Sequence, residues 1–103
     1  MKIRMLPMIL MASFSLLMTA QAATYKGSQY ASEAKLTIEE ARAMATKAYP
    51  GTIVEEELEH KRGGSGLRFS FDIRANHVTH EVAIDAKTGD VLENTRETSN
   101  DND

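Results

Sequence analysis

Three stretches carry side chains whose types could do chemistry at short range: His77-Val78-Thr79-His80, Glu55-Glu56-Glu57-Leu58-Glu59, and Gly63-Gly64-Ser65-Gly66. A pair of imidazoles chelates a metal ion only if both rings reach the same side. On a strand, residues three apart point to opposite faces, so His77 and His80 diverge. His77 is expected in solvent and His80 at the edge of the core, with no metal bound. The acidic run invites calcium or a carboxylate acid–base pair. Strand alternation divides its glutamates between faces, and a flat strand does not wrap oxygens around an ion as a calcium loop does. No second carboxylate can be placed opposite them for general acid–base work. A solvated face with cross-strand partners such as Arg68 is the expectation. Glu56 is the exception, because its parity points inward; a place at the sheet margin and a bulge that turns it out are both open. Ser65 sits among glycines, but Leu67-Arg68 follow where a phosphate loop needs Lys-Ser/Thr. Nor is it a nucleophile elbow. No nucleophile–base pair, cofactor motif or metal-ligand set is visible, so a non-enzymatic protein is expected.

These residues are positioned by a stretch from Leu67 to Leu92, around which the chain is organised. Leu67, Phe69, Phe71 and Ile73 alternate with Arg68, Ser70, Asp72 and Arg74. Val78, His80, Val82 and Ile84 alternate with Thr79, Glu81 and Ala83, and an AKTG turn leads to Val91-Leu92. This pattern predicts an antiparallel meander with one buried face. A two-residue turn at Ala75-Asn76 sets Ile73 opposite Val78 and Phe71 opposite His80. Thr52–His60 is predicted as a further strand, with Val54, Glu56, Leu58 and His60 on one face, joined to the meander by a flexible KRGGSG hairpin.

One helix precedes the strands. Thr37 and Glu40 form a capping box, and Glu39, Glu40 and Lys47 complement the helix ends. Ile38, Ala41, Ala45 and Ala48 make a stripe with Met44 beside it. A stripe of small residues suits close approach to a flat sheet. Pro50-Gly51 ends the helix. The fold class is therefore α+β: one helix packed on a small antiparallel β-sheet, in the order α-β-β-β-β.

Residues 1–22 have the layout of a secretory signal peptide: Lys2 and Arg4, an uncharged apolar run, then Ala20-Gln21-Ala22 as a small-x-small cleavage site before Ala23. The expected divisions are a signal peptide at 1–22, a flexible lead-in at 23–35, a domain at 36–94 and a disordered tail at 95–103. In the lead-in, Tyr25 and Tyr30 have the means to dock, but a mobile tether is expected. The protein is then periplasmic or secreted, with no stable membrane anchor after cleavage. The 103-residue chain has a net charge of −3 and no cysteine. Without Lys2 and Arg4 there are 10 basic and 15 acidic side chains, a net −5. An acidic chain is a poor partner for nucleic acid or an anionic membrane. The absence of cysteine excludes disulfides and thiol chemistry.

Three segments resemble the PepSY family. Leu36-Thr37-Ile38-Glu39-Glu40-Ala41 is similar to the opening of its helix. Glu57-Leu58-Glu59 is similar to its first strand, and Asp85-Ala86-Lys87-Thr88-Gly89-Asp90-Val91-Leu92 to its ending. His80 stands where that family often has an aromatic residue. The resemblance covers about residues 35–95. It implies a helix on an antiparallel sheet and a non-enzymatic module that regulates or inhibits a peptidase or another envelope protein. It supplies no catalytic residue and no cofactor. With the helix on one face, the partner-binding candidates are the outward residues Arg68, Ser70, Asp72, Arg74, Thr79 and Glu81. An edge strand and the loop Lys61–Gly66 are further contacts. The alternative is an envelope sensor of a small ligand or metal, using His77, His80 and the glutamates. Oligomeric state is not encoded in any of these signals.

Overall fold

A computed structural model describes residues 24–98. Residues 1–23, where the signal peptide and its cleavage residues Ala20, Ala22 and Ala23 are expected, lie outside the described residues, as do 99–103. Helix α1 spans Ile38–Ala48 and is followed by β1 (Thr52–His60), β2 (Leu67–Ala75), β3 (Val78–Asp85) and β4 (Val91–Arg96). The strands form one antiparallel sheet in the order β1-β2-β3-β4. This is the α-β-β-β-β arrangement expected from the alternation.

The helix begins where its capping box predicts. The Thr37 hydroxyl accepts from the Glu40 amide at 3.1 Å, and the Glu40 carboxylate accepts from the Thr37 amide at 3.1 Å. Ile38, Ala41 and Ala45 are buried against the sheet, while Met44 stays 37% exposed at the border. The core beneath them is Leu58, Leu67, Phe69, Phe71, Ile73, Val82, Ile84 and Ala86. Ala86 joins the layers: its carbonyl accepts from the Lys35 and Leu36 amides, and its amide donates to the Leu67 carbonyl. The turn that resembles the family's ending thus fixes the start of the helix.

Two expectations about the strands are corrected. The β2–β3 turn is Asn76-His77, not Ala75-Asn76, so Ala75 pairs with Val78, Ile73 with His80 and Phe71 with Val82. Asn76 and His77 have φ of 50° and 64°, the left-handed pair that a two-residue hairpin turn requires. Facing is unchanged because the register moves by an even number of residues. In β1 the alternation breaks at a bulge between Ile53 and Glu55. Ile53 therefore joins Glu56 and Leu58 on the helix side, and Val54 is left 53% exposed.

The segment read as a flexible lead-in is laid along β1. Lys26 makes a parallel bridge with Glu57, and the Leu58 amide donates to the Lys26 carbonyl at 2.8 Å. Gly27 follows with φ of 85°, where a Cβ would lie 1.7 Å from the Leu58 carbonyl oxygen. Only glycine fits that crossing. Ser28–Glu33 is a short 3-10 helix. Its Tyr30 packs edge-on against His60, and Glu33 meets His60 Nε2 at 3.1 Å. At the other end β4 runs to Arg96, past the point where the tail was expected to begin.

Candidate functional site

The helix covers one face of the sheet; the opposite face is built from the other parity of each strand. Cross-strand pairs there are Glu59 with Arg68, Glu57 with Ser70 and Glu55 with Asp72 between β1 and β2. Arg68 lies opposite Asp85, Ser70 opposite Ala83, Asp72 opposite Glu81 and Arg74 opposite Thr79. On β4 the face continues through Glu93 and Thr95. All six sequence candidates, Arg68, Ser70, Asp72, Arg74, Thr79 and Glu81, therefore share this face. They are not equally presented. Arg68 and Ser70 are buried, Arg74 is exposed, and Asp72, Thr79 and Glu81 lie between.

Arg68 is buried because its side chain turns toward the hairpin loop. Its Nη2 donates to the Arg62 carbonyl at 3.0 Å, and its Nη1 lies 3.8 Å from Glu93. Ser70 donates its hydroxyl to Glu59 at 3.0 Å. Beyond these a shallow groove of about 350 Å³ runs across the sheet. Lys26, Glu55, Glu57, Asp72, Glu81 and Glu97 are among its walls. Lys26 meets Glu57 at 3.5 Å, but no cation is paired with Asp72 among the described residues.

Crowded carboxylates in a groove shift their own titration. Burial raises the Asp72 pKa to about 6, helped by a hydrogen bond with Glu55 and the charges of Glu97, Glu55 and Glu81. Glu81 is raised too, by burial and then by Glu93, against the pull of Lys61. Ionised Asp72 is thus disfavoured in the folded state. Its contribution to stability is present below the unfolded value near 4 and is lost as pH rises through about 6. Asp72→Asn should raise stability by about 1 kcal/mol at pH 8, discounted for solvent screening, and by almost nothing at pH 4. Thermal unfolding at the two pH values checks this; no gain at pH 8 would mean the carboxylates do not strain one another.

The histidines do not converge. His77 is exposed in its turn. His80 faces the helix side, where its ring stacks on Tyr49 at 3.8 Å and an interplanar angle of 2°. Asn94 donates from Nδ2 to the Ala48 carbonyl, which turns its Oδ1 toward His80 Nδ1 at 2.8 Å. His80 thus packs as an aromatic residue would, with Nδ1 within hydrogen-bond distance of Asn94. Among the described residues, no group of three His, Asp or Glu side chains is placed to hold a metal ion.

Two polar contacts fell outside the sequence reasoning. Glu56 does point inward, and Arg42 of α1 meets it through Nε to Oε1 and through Nη2 to Oε2 at 2.9 Å. The hydrogen bond to Glu56 is the main cause of a raised Arg42 pKa. No local signal marked this pair: the acidic residue near Arg42 in its own helix is Glu39, 4.0 Å away. The second contact is buried Asp85. Its carboxylate accepts from the Ser65 amide at 2.6 Å, the Ser65 hydroxyl at 2.7 Å, the Lys87 amide at 2.9 Å and the Thr88 amide at 3.1 Å. Gly64 is glycine because a Cβ there would lie 2.2 Å from Asp85 Oδ2. The glycine-rich hairpin is latched to the β3–β4 turn rather than loose.

A helix packed on a four-stranded antiparallel meander is the arrangement that the PepSY resemblance implies. The family model for that domain, described as the peptidase propeptide and YPEB domain, matches residues 35–95. The chain belongs to the PepSY family. PepSY domains are linked to peptidase propeptides and peptidase regulation, and are generally regulatory rather than catalytic. They are typical of exported proteins. No curated protein and no solved structure matches the chain. Among the described residues, no helix is long and apolar enough to cross a membrane.

Proposed function

We propose that this PepSY protein is an exported, non-enzymatic binding module that restrains or otherwise regulates a peptidase or another envelope protein. It reaches the periplasm or the exterior through the leader at 1–22, is released after Ala22, and keeps no membrane anchor. Its partner is a protein rather than a nucleic acid, because the open face is dominated by carboxylates, which repel phosphate.

The observation that carries this reading is the one-sided cover of the sheet. Helix α1 buries one face, and the other is left as a grooved, charged surface with Asp72, Arg74, Thr79 and Glu81 accessible. A two-layer domain of this kind satisfies its core from one side, so the other is free to take a partner. The polar groove has no convergent nucleophile and base, which favours binding over turnover.

Inhibition assays against secreted metallopeptidases test the reading. Purified protein titrated into each assay should slow at least one peptidase in a saturable, dose-dependent way. Failure to slow any of them, with no complex detectable by size-exclusion chromatography, would remove the peptidase-regulating role.

A further inference from the structure

We propose that the free edge of β4 is the docking strand for an extended cationic segment of the partner. That segment adds to the sheet beside β4 and sets lysine or arginine side chains against Glu93 and Glu97. The proposal rests on the binding-module reading above and names where and by what chemistry the partner is held.

The two sheet edges differ. The β1 edge is bulged between Ile53 and Glu55 and is crossed by the N-terminal segment, which bonds the Leu58 amide and pairs Lys26 with Glu57. Contacts of Tyr30 and Glu33 with His60 hold that segment down. The β4 edge has no such cover among the described residues. Unpaired edge groups are a template for strand addition.

The phase of the ladder identifies which groups are free. The Glu97 amide donates to the Thr79 carbonyl at 2.8 Å. Main-chain groups alternate along an antiparallel strand. Glu97, Thr95 and Glu93 thus turn theirs toward β3, and Asn94 and Arg96 turn theirs outward. Side chains on the open face next to that edge are Glu93, Thr95 and Glu97, with Glu81 one strand in. Arg68 approaches Glu93 at 3.8 Å but is itself buried, and the exposed Arg96 belongs to the other parity of β4, so the accessible charge on the open-face side of the edge is negative. An added strand with basic residues at alternate positions matches it.

The register in which two copies would exchange the outward groups of Asn94 and Arg96 suits a second copy poorly. Symmetric antiparallel pairing of β4 centred on Thr95 sets Glu93 of each copy opposite Glu97 of the other. Like charges directly opposite destabilise a strand pair.

The test uses an eight-residue peptide alternating lysine and valine, its glutamate–valine counterpart, and a lysine–valine version N-methylated at alternate amides. Binding to the purified full chain is followed by amide chemical shifts. The lysine–valine peptide should move the Asn94 and Arg96 amides and bind at least about tenfold more tightly than the other two. Arg96→Pro removes an outward amide without touching the β3 ladder, and should weaken binding by about tenfold at an unchanged melting temperature. Glu97→Lys, which leaves the backbone intact, should shift preference toward the glutamate–valine peptide. Shifts confined to β1 or α1, equal binding of both charge types, or no binding would overturn the proposal. So would a dimer that dissociates on Arg96→Pro, which would give the edge to a second copy. If a peptidase is inhibited while the lysine–valine peptide ignores β4, the edge assignment alone falls. If the peptide binds β4 and no peptidase is inhibited, the edge assignment stands and the peptidase-regulating role falls.

Discussion

Asp85→Ala is expected to cost about 3 kcal/mol of folding stability, and roughly 10–20 °C in melting temperature for a domain of this size. The carboxylate is fully buried and accepts four hydrogen bonds from two loops. Removing it leaves the Ser65, Lys87 and Thr88 amides without an acceptor and opens space beside Gly64. Hydrogen bonds to a charged acceptor are each worth more than an average one, and four are lost together. Asp85→Asn should fall between, because it keeps the shape but turns one acceptor into a donor facing an amide.

The same group sets the acid limit. Burial alone would raise its pKa, but the Ser65 amide and hydroxyl with the Lys87 and Thr88 amides outweigh it and hold the value at about 2. A depressed carboxyl contributes stability above its unfolded value near 4, and loses it as pH falls through its folded value. Wild type and Asp85→Ala should therefore differ at pH 7 and converge near pH 2. Urea denaturation at both pH values checks it; equal stability at pH 7 would mean the latch holds nothing. Asp72 has the opposite sign, so the two together place maximum stability at mildly acidic pH.

The second large effect is at the helix–sheet interface. Arg42→Ala should destabilise by about 2 kcal/mol, since it leaves Glu56 facing the helix without its cation. The side chains are 31% and 21% exposed, which holds the cost below that of a fully buried pair. Glu56→Leu in the Arg42→Ala background should recover most of the loss, because it removes the stranded charge and adds apolar area. Denaturation of the wild type, both single variants and the double variant gives the coupling. If the two substitutions simply add, the pair is not a unit.

These two contacts mark what the sequence could not disclose. Alternation in Leu67–Ile73 and Val78–Ile84 is a local signal, and it gave strands, facing and order. The Thr37–Glu40 box is equally local, and so was the helix start. Register is set by backbone dihedrals, and the sequence ANHV allows a turn at either pair; φ above zero at Asn76 and His77 decides it. The Val54 bulge inserts one residue that no periodicity marks in a run of glutamates. Arg42 with Glu56, and Ser65 with Asp85, join residues distant in the chain. Pairing of that kind depends on how the layers stack. Of the partner-binding candidates, the face was legible and the accessibility was not. Arg68 and Ser70 have outward parity, yet long neighbouring side chains and the hairpin loop cover them. His80 read as a departure from its family, but its stack on Tyr49 lets an imidazole fill an aromatic position.

On the proposed function, the sheet face away from α1 is the working surface. The direct measurement is inhibition of a peptidase that the wild type restrains, compared between two charge reversals. Asp72→Lys with Glu81→Lys alters the open face, and Glu39→Lys with Lys47→Glu alters the exposed side of the helix. The sheet variant should lose inhibition by about tenfold or more, while the helix variant inhibits as the wild type does. Full inhibition by a folded sheet variant, or its loss in a folded helix variant alone, would mean that another surface does the work.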